Sequence, residues 1–282
     1  METIQNLLGR VEVLPLSPSL LPKLLPKLSD LDGNFDEVVD IIAIDPSLTS
    51  KLLQICNSAF FGQEEPVSSV SEAVSRVGYQ SVYLLVAMIN GSNCFPLPNP
   101  TGIDVVRLWK HSISVAFASK FVAESARMDS NLIFTAGLLH DIGKVVLGQA
   151  QPQQMSSIIY KRTDAAVNER ETILFGFHHA EVGAALLERW KLPAQLVSAV
   201  RYHHDPRGAQ GFEPLAACVN LGNLFTHGQE SAAVLTSPET KSVMEYLRLP
   251  PHLLLDWRQQ LWDHRELIES MSGLSKLAKP SK

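Results

Sequence analysis

Apolar residues recur at three- and four-residue intervals along nearly every long segment of this chain, and no segment alternates convincingly with period two. That spacing places them on one helical face, so the chain must bury helical stripes against one another rather than build a sheet. Leu20, Leu21, Leu24, Leu25 and Leu28 form one stripe, ended by the turn-like Asp30-Leu31-Asp32-Gly33-Asn34. Val38, Val39, Ile41 and Ile42 carry a second helix as far as Asp45-Pro46, because proline disfavours helical geometry in the residue before it. The next helix holds Leu48, Leu52, Leu53 and Ile55 and stops at Asn57-Ser58, which read as terminating and capping groups. Ser69 or Ser71 caps another, holding Val74, Val77, Val82, Leu84 and Leu85.

Phe95-Pro96-Leu97-Pro98-Asn99-Pro100 then breaks helical order, since three prolines in five residues leave little backbone hydrogen bonding. It divides an N-terminal helical platform, residues 1–100, from a helical bundle over 101–230. Within the second half, helices are expected at 103–127, 131–147, 151–161, 165–174, 179–190, 193–203 and 212–227. A helical tail, 231–282, carries Val243, Leu247, Leu253, Leu254, Leu255, Trp257 and Leu261 and frays from Ser275 onward. The expected fold is all-α, with the platform packed on the bundle.

Composition narrows the function. A net charge of −5 offers no basic face for a phosphate backbone, so direct nucleic-acid binding is not expected. No apolar run approaches the roughly 20 residues of a membrane span, and no basic-then-apolar leader opens the chain. Cys56, Cys94 and Cys218 are few, odd in number and far apart, which argues for a reducing cytoplasm and against a disulfide framework. They read as small buried apolar side chains.

The chemistry centres on His140-Asp141, within Gly137-Leu138-Leu139-His140-Asp141-Ile142-Gly143-Lys144 at the end of an apolar helical run. Neutral imidazole and ionised carboxylate together suit a borderline divalent cation. His111 precedes them, and His179 and the pair His203-His204 follow. On a helix Lys144 would share a face with both His140 and Asp141, either to orient a phosphate or to form a structural ion pair with Asp141. Gly143 would admit another backbone or an anion at close range. The alternative to coordination is a set of groups that bond one another and merely hold helices together. His178 reads as solvated or supporting, His227, His252 and His264 as surface residues, and Trp109 and Trp190 as core aromatics.

The run His111, His140-Asp141, His179, His203-His204 resembles the HD superfamily of metal-dependent phosphohydrolases. Ile44-Asp45-Pro46-Ser47-Leu48-Thr49, Asn57-Ser58-Ala59-Phe60-Phe61-Gly62, Val67-Ser68-Ser69-Val70-Ser71-Glu72-Ala73-Val74 and His179-Ala180-Glu181-Val182-Gly183 are similar to the HDOD family, over roughly residues 14 to 225. The resemblance implies a bacterial signalling or regulatory module, acting by binding a signalling protein or a small phosphorylated or nucleotide ligand; from its opening methionine and its length the module is expected to stand alone. It implies a divalent metal (Fe, Mn, Zn, Co or Mg) on His111, His140, Asp141, His179, His203, His204 and Asn220. The rival implication is a metal-dependent phosphohydrolase, with Asp141 and Lys144 in catalytic roles. Two departures bear on that choice. Asn220 stands where HD enzymes place a late aspartate, which removes one negative charge from the site. The Gly-Tyr-Pro element of the related HD-GYP enzymes is missing after His204, where the chain reads Asp205-Pro206-Arg207.

Overall fold

The helical spacing is realised throughout, for every regular element among the described residues of the computed structural model is a helix. The structure describes residues 3–11, 67–78, 101–158, 164–189, 192–230 and 235–271, with single positions between 39 and 82. The Leu20–Leu28 stripe, Asp45-Pro46, the Phe95–Pro100 break, Leu48, Ile55, Ser58, Leu84, Leu85, Cys94, Trp190 and the terminal 275–282 lie outside the described residues. The helices are α1 (Ile4–Arg10), α2 (Val70–Val77), α3 (Val105–Ser125), α4 (Ser130–Leu139), α5 (Ile142–Ala150) and α6 (Pro152–Met155). There follow α7 (Asp164–Phe175), α8 (His179–Arg189), α9 (Ala194–Arg201), α10 (Glu213–Glu230), α11 (Pro238–Tyr246), α12 (Leu253–Asp263) and α13 (Arg265–Met271). No helix among them is long and apolar enough to cross a membrane.

Two compact units emerge, Met1–Leu14 with Pro96–Asp263, and Pro15–Phe95 with His264–Lys282. In the second unit, Ser69 is the N-cap of α2, accepting from the Glu72 backbone N–H at 3.1 Å, while Glu72 Oε2 accepts from the Ser68 N–H at 2.8 Å. Such reciprocal capping satisfies donors the helix cannot serve itself. Asn57 pairs with the backbone of Val67 through both its amide groups, so this terminating residue also ties down a segment ten positions on. Leu52 is buried and Leu53 half-buried, as their stripe requires.

The first unit is built on α3, whose Asp104 cap accepts from the Arg107 N–H at 3.0 Å. Ile113, Val115, Ala116, Phe117, Val122 and Ala123 are all buried, so this helix runs through the core rather than along its surface. It meets α10 at one very close crossing. A Cβ on Gly222 would lie 2.2 Å from Ser119 Oγ and 2.8 Å from its backbone nitrogen, a space only glycine leaves open. The α1 helix packs on α5 and α8, and Arg189 donates to its Leu8 carbonyl at 2.9 Å. In α12, buried Trp257 donates its indole N–H to Ser125 Oγ at 3.2 Å and packs edge-on against Phe225.

One element differs from expectation in a way that matters. The helix expected over 131–147 is two helices, α4 and α5, separated at His140-Asp141. His140 turns its Nδ1 back onto the Gly137 carbonyl at 2.7 Å, an acceptor the helix would otherwise use. Asp141 occupies the N-cap of α5 but makes no capping bond, because its carboxylate faces other side chains instead. Lys144 therefore reaches Asp141 across the first turn of a new helix, not along a continuous face.

Candidate metal centre

Five segments bring the predicted residues together. His111 comes from α3, His140 and Asp141 from the α4–α5 break, His179 from the start of α8, His203 and His204 from the turn after α9, and Asn220 from α10. Gly143 and Gly183 allow this convergence. A Cβ on Gly143 would sit 1.9 Å from the His179 carbonyl oxygen and 2.7 Å from the Gly183 nitrogen, so α5 and α8 touch backbone to backbone. It is a backbone, of the two partners expected there, that Gly143 admits.

Asp141 stands at the middle. Its Oδ2 lies 2.7 Å from Lys144 Nζ, 3.4 Å from His140 Nε2 and 3.8 Å from His111 Nε2, and its Oδ1 lies 3.2 Å from His179 Nε2. Ligand atoms of His111, His140 and Asp141 all fall within 4.8 Å of one another, and those of His179, His203 and His204 do the same. His140, Asp141, His179 and His203 are almost fully buried, while His111 and His204 are half-buried at the rim.

Hydrogen bonds fix which ring nitrogens are available. His140 donates from Nδ1 to the Gly137 carbonyl and His203 from Nδ1 to the Val200 carbonyl, each at 2.7 Å. A carbonyl only accepts, so both rings carry their proton on Nδ1 and keep the Nε2 lone pair for a ligand. His179 Nδ1 lies 2.7 Å from Glu171 Oε2, which also accepts from the His179 backbone N–H at 2.7 Å. A carboxylate behind a histidine in this way sets its tautomer and strengthens it as a ligand. His204 Nε2 and His179 Nε2 lie 3.0 Å apart, so one of them holds a proton between the two lone pairs.

Burial sets the electrostatics. It holds His140 well below the ordinary imidazole value, outweighing the pull of Asp141. For His179 burial acts in the same direction, but Glu171 and the bonds to Asp141 and Glu171 prevail and lift it to about 9. Burial alone would raise Asp141, yet His140, Lys144 and His179 keep its carboxyl well below the usual range. Glu171 is likewise lowered, His179 overcoming its burial. The site thus keeps a carboxylate and neutral imidazole in one dry space. His140 Nε2 is buried and lacks a hydrogen-bond partner, a costly condition that a coordinated cation would relieve. The donor set fits a borderline divalent ion.

Asn220 behaves differently from the imidazoles. Its Nδ2 donates to the His203 carbonyl at 2.7 Å, so the amide braces the turn that carries His203-His204. Sequence reasoning missed Glu171, which is fully buried; the signal available was an acidic residue eight positions before His179, in the helix leading into that motif. It also misplaced His227. Rather than lying on the surface, this half-buried ring sits 4.8 Å from the ring of His111, because position 227 follows Asn220 by two helical turns on the same face of α10. His178 is half-buried beside Glu181, His264 is half-buried, and His252 is exposed as expected. Trp109 is a buried core aromatic.

The profile of the HDOD domain matches residues 14–206. An uncharacterised protein of Treponema pallidum (strain Nichols) is 28% identical over 225 residues, 78% of this chain and 43% of its own length. Ribonuclease Y of Thermus thermophilus is 33% identical over 101 residues, 36% of this chain. The chain therefore spans less than half of the Treponema protein and 13% of the nuclease. Among solved structures, a provisionally named phosphohydrolase of Shewanella amazonensis SB2B superposes with a TM-score of 0.72 at 22% identity, covering 95% of this chain and 97% of the other. An HDOD domain protein of unknown function from Geobacter sulfurreducens gives 0.71 at 22% identity, covering 95% and 96%. Both share the fold.

Proposed function

Because the chain belongs to the HDOD domain family, we propose that it is a regulatory module with a reduced HD-type metal site, acting by binding a signalling protein or a small phosphorylated ligand. The observation that carries this reading is the commitment of Asn220 to the His203 backbone. Where a two-metal centre needs carboxylates to offset about four positive charges, this cluster offers Asp141 between imidazoles, with Glu171 spent on orienting His179. His111, His140 and Asp141, or His179, His203 and His204, would hold the ion. A bound divalent ion would supply Lewis acidity and a water of lowered pKa. The protein's own groups keep water out, hold Nε2 lone pairs inward and neutralise Asp141 through Lys144.

A second reading, a metal-dependent phosphohydrolase, is favoured by one observation. Asp141 lies between the two histidine groups, close to imidazoles of both, as a bridging carboxylate would in a two-metal site. Metal analysis of the purified protein, followed by assay against generic phosphoesters, cyclic dinucleotides and a short RNA, separates the two. The regulatory reading expects at most one tightly held metal and no turnover. Two stoichiometric metals with metal-dependent hydrolysis would replace it with the enzyme.

A further inference from the structure

The α1 helix is fastened to the elements that carry the site, yet it is built to be weak. Ile4, Leu7, Leu8 and Val11 recur on one helical face; Leu7 and Leu8 are buried, while Gln5, Asn6, Gly9 and Arg10 are exposed. The helix packs on α5 and α8, the two whose backbones touch at Gly143 and His179. At the far end of α8, Arg189 donates to the Leu8 carbonyl, an acceptor that the last turn of α1 cannot serve itself. In the chain, α1 is set apart from the rest of its unit by Pro15–Phe95, which belong to the other. Seven residues are too few for a helix to persist in water alone. Gly9 weakens it further, since glycine inside a helix loses more backbone freedom on folding than alanine does. Unlike Gly143, Gly9 answers no packing need: a Cβ there would meet nothing within 4 Å.

We propose that α1 is a detachable strap on α5 and α8, whose release loosens the Gly143–His179 crossing and with it the hold on His179. This goes beyond the regulatory reading by naming the part that moves, and it requires no metal. With α1 seated, Leu7 and Leu8 lie out of water and Arg189 holds the last turn. With α1 away, α5 and α8 lose a shared neighbour, and the apolar surface under the strap opens to water. A signal that captures residues 4–11 then reaches His179 without entering the site, because one two-state element is biased from both places.

Amide hydrogen exchange on the full-length, metal-free protein tests this, because it reads local opening segment by segment. Residues 7–10 of α1 should be protected at least about tenfold less than the core helix α3, with residues 146–150 and 183–187 at the crossing in between. Gly9→Ala, whose methyl meets no neighbour, strengthens α1 without disturbing the fold. It should raise protection about fourfold in α1 and equally at the crossing. Arg189→Met, which keeps the stem and removes the donor to Leu8, should lower protection in both about fivefold. Equal protection of α1 and α3 would make α1 an integral part of the core and overturn the proposal. So would a crossing as protected as α3, or a Gly9→Ala effect confined to α1. Zinc uptake, measured separately, bears on the metal reading alone.

Discussion

Glu171 Oε2 lies 2.7 Å from both the backbone nitrogen and the ring Nδ1 of His179, so a single buried oxygen orients the histidine at two points. Fixing backbone and ring together leaves His179 little freedom to turn its Nε2 away from Asp141 and His204. Glu171→Gln keeps the bulk but removes the charge, and metal affinity should fall about 10–100-fold. Glu171→Ala should also leave the buried His179 N–H without its acceptor, at about 1–3 kcal/mol of stability. Titration calorimetry and denaturant melts on the two variants measure these separately. Unchanged metal affinity in Glu171→Gln would remove Glu171 from the site.

The Gly143–His179 contact leads to a sharper stability test. A methyl group at 143 would meet a carbonyl oxygen of the neighbouring helix, which no side-chain rotation can relieve. Gly143→Ala should cost about 3 kcal/mol or more, at the upper end for overpacked cores. It should weaken metal binding too, since His179 must move with α8. Wild-type stability in this variant would mean that α5 and α8 do not cross at this distance.

Metal-free protein should be most stable near pH 6.5. The protonated His179 ring, its value lifted to about 9, contributes stability fully below about 6.5 and loses it as pH rises to 9. His140 works oppositely: held neutral by burial, it favours the fold above about 6.5 and opposes it as acid protonates the unfolded chain. Asp141 and Glu171, both lowered, lose their contributions as pH falls below about 4.5. Denaturation midpoints between pH 4 and 10 should trace this peak, and His179→Gln should flatten its alkaline side. An alkaline limb unchanged by that substitution would show that His179 is not held charged.

Replacing Asn220 with aspartate tests the charge argument. The carboxylate would face the His203 carbonyl without a proton to donate, so metal-free Asn220→Asp should lose about 1–3 kcal/mol. An added divalent ion should recover that loss and raise the melting temperature more than it does for wild type, since stabilisation by a ligand grows with the logarithm of its affinity. Restored hydrolysis is not required. If metal stabilises the variant no more than wild type, position 220 cannot reach the ion.

Most helices of the first unit were legible from local spacing, because buried stripes, caps and prolines act within a few residues of themselves. Residues 105–125, 164–175, 179–189 and 213–230 form helices close to where periodicity put them. The histidines and Asp141 were legible as residue types that need partners, and the HDOD resemblance implied that they meet. The break between α4 and α5 was not, since the apolar pattern runs on through it. It arises because His140 takes the Gly137 carbonyl and Asp141 turns away from its own helix end toward Lys144. Glu171 and His227 stayed hidden for a related reason: each acts on a residue of a different helix, and intrahelical spacing carries no information about which faces will meet. The sequence alone determined that this chain makes helices and which side chains could do chemistry. Only the tertiary structure decided that Gly143 lets α5 and α8 touch, that Glu171 stands behind His179, and that His227 faces His111. Those contacts follow from where helices cross, and the crossings depend on volumes from several segments at once.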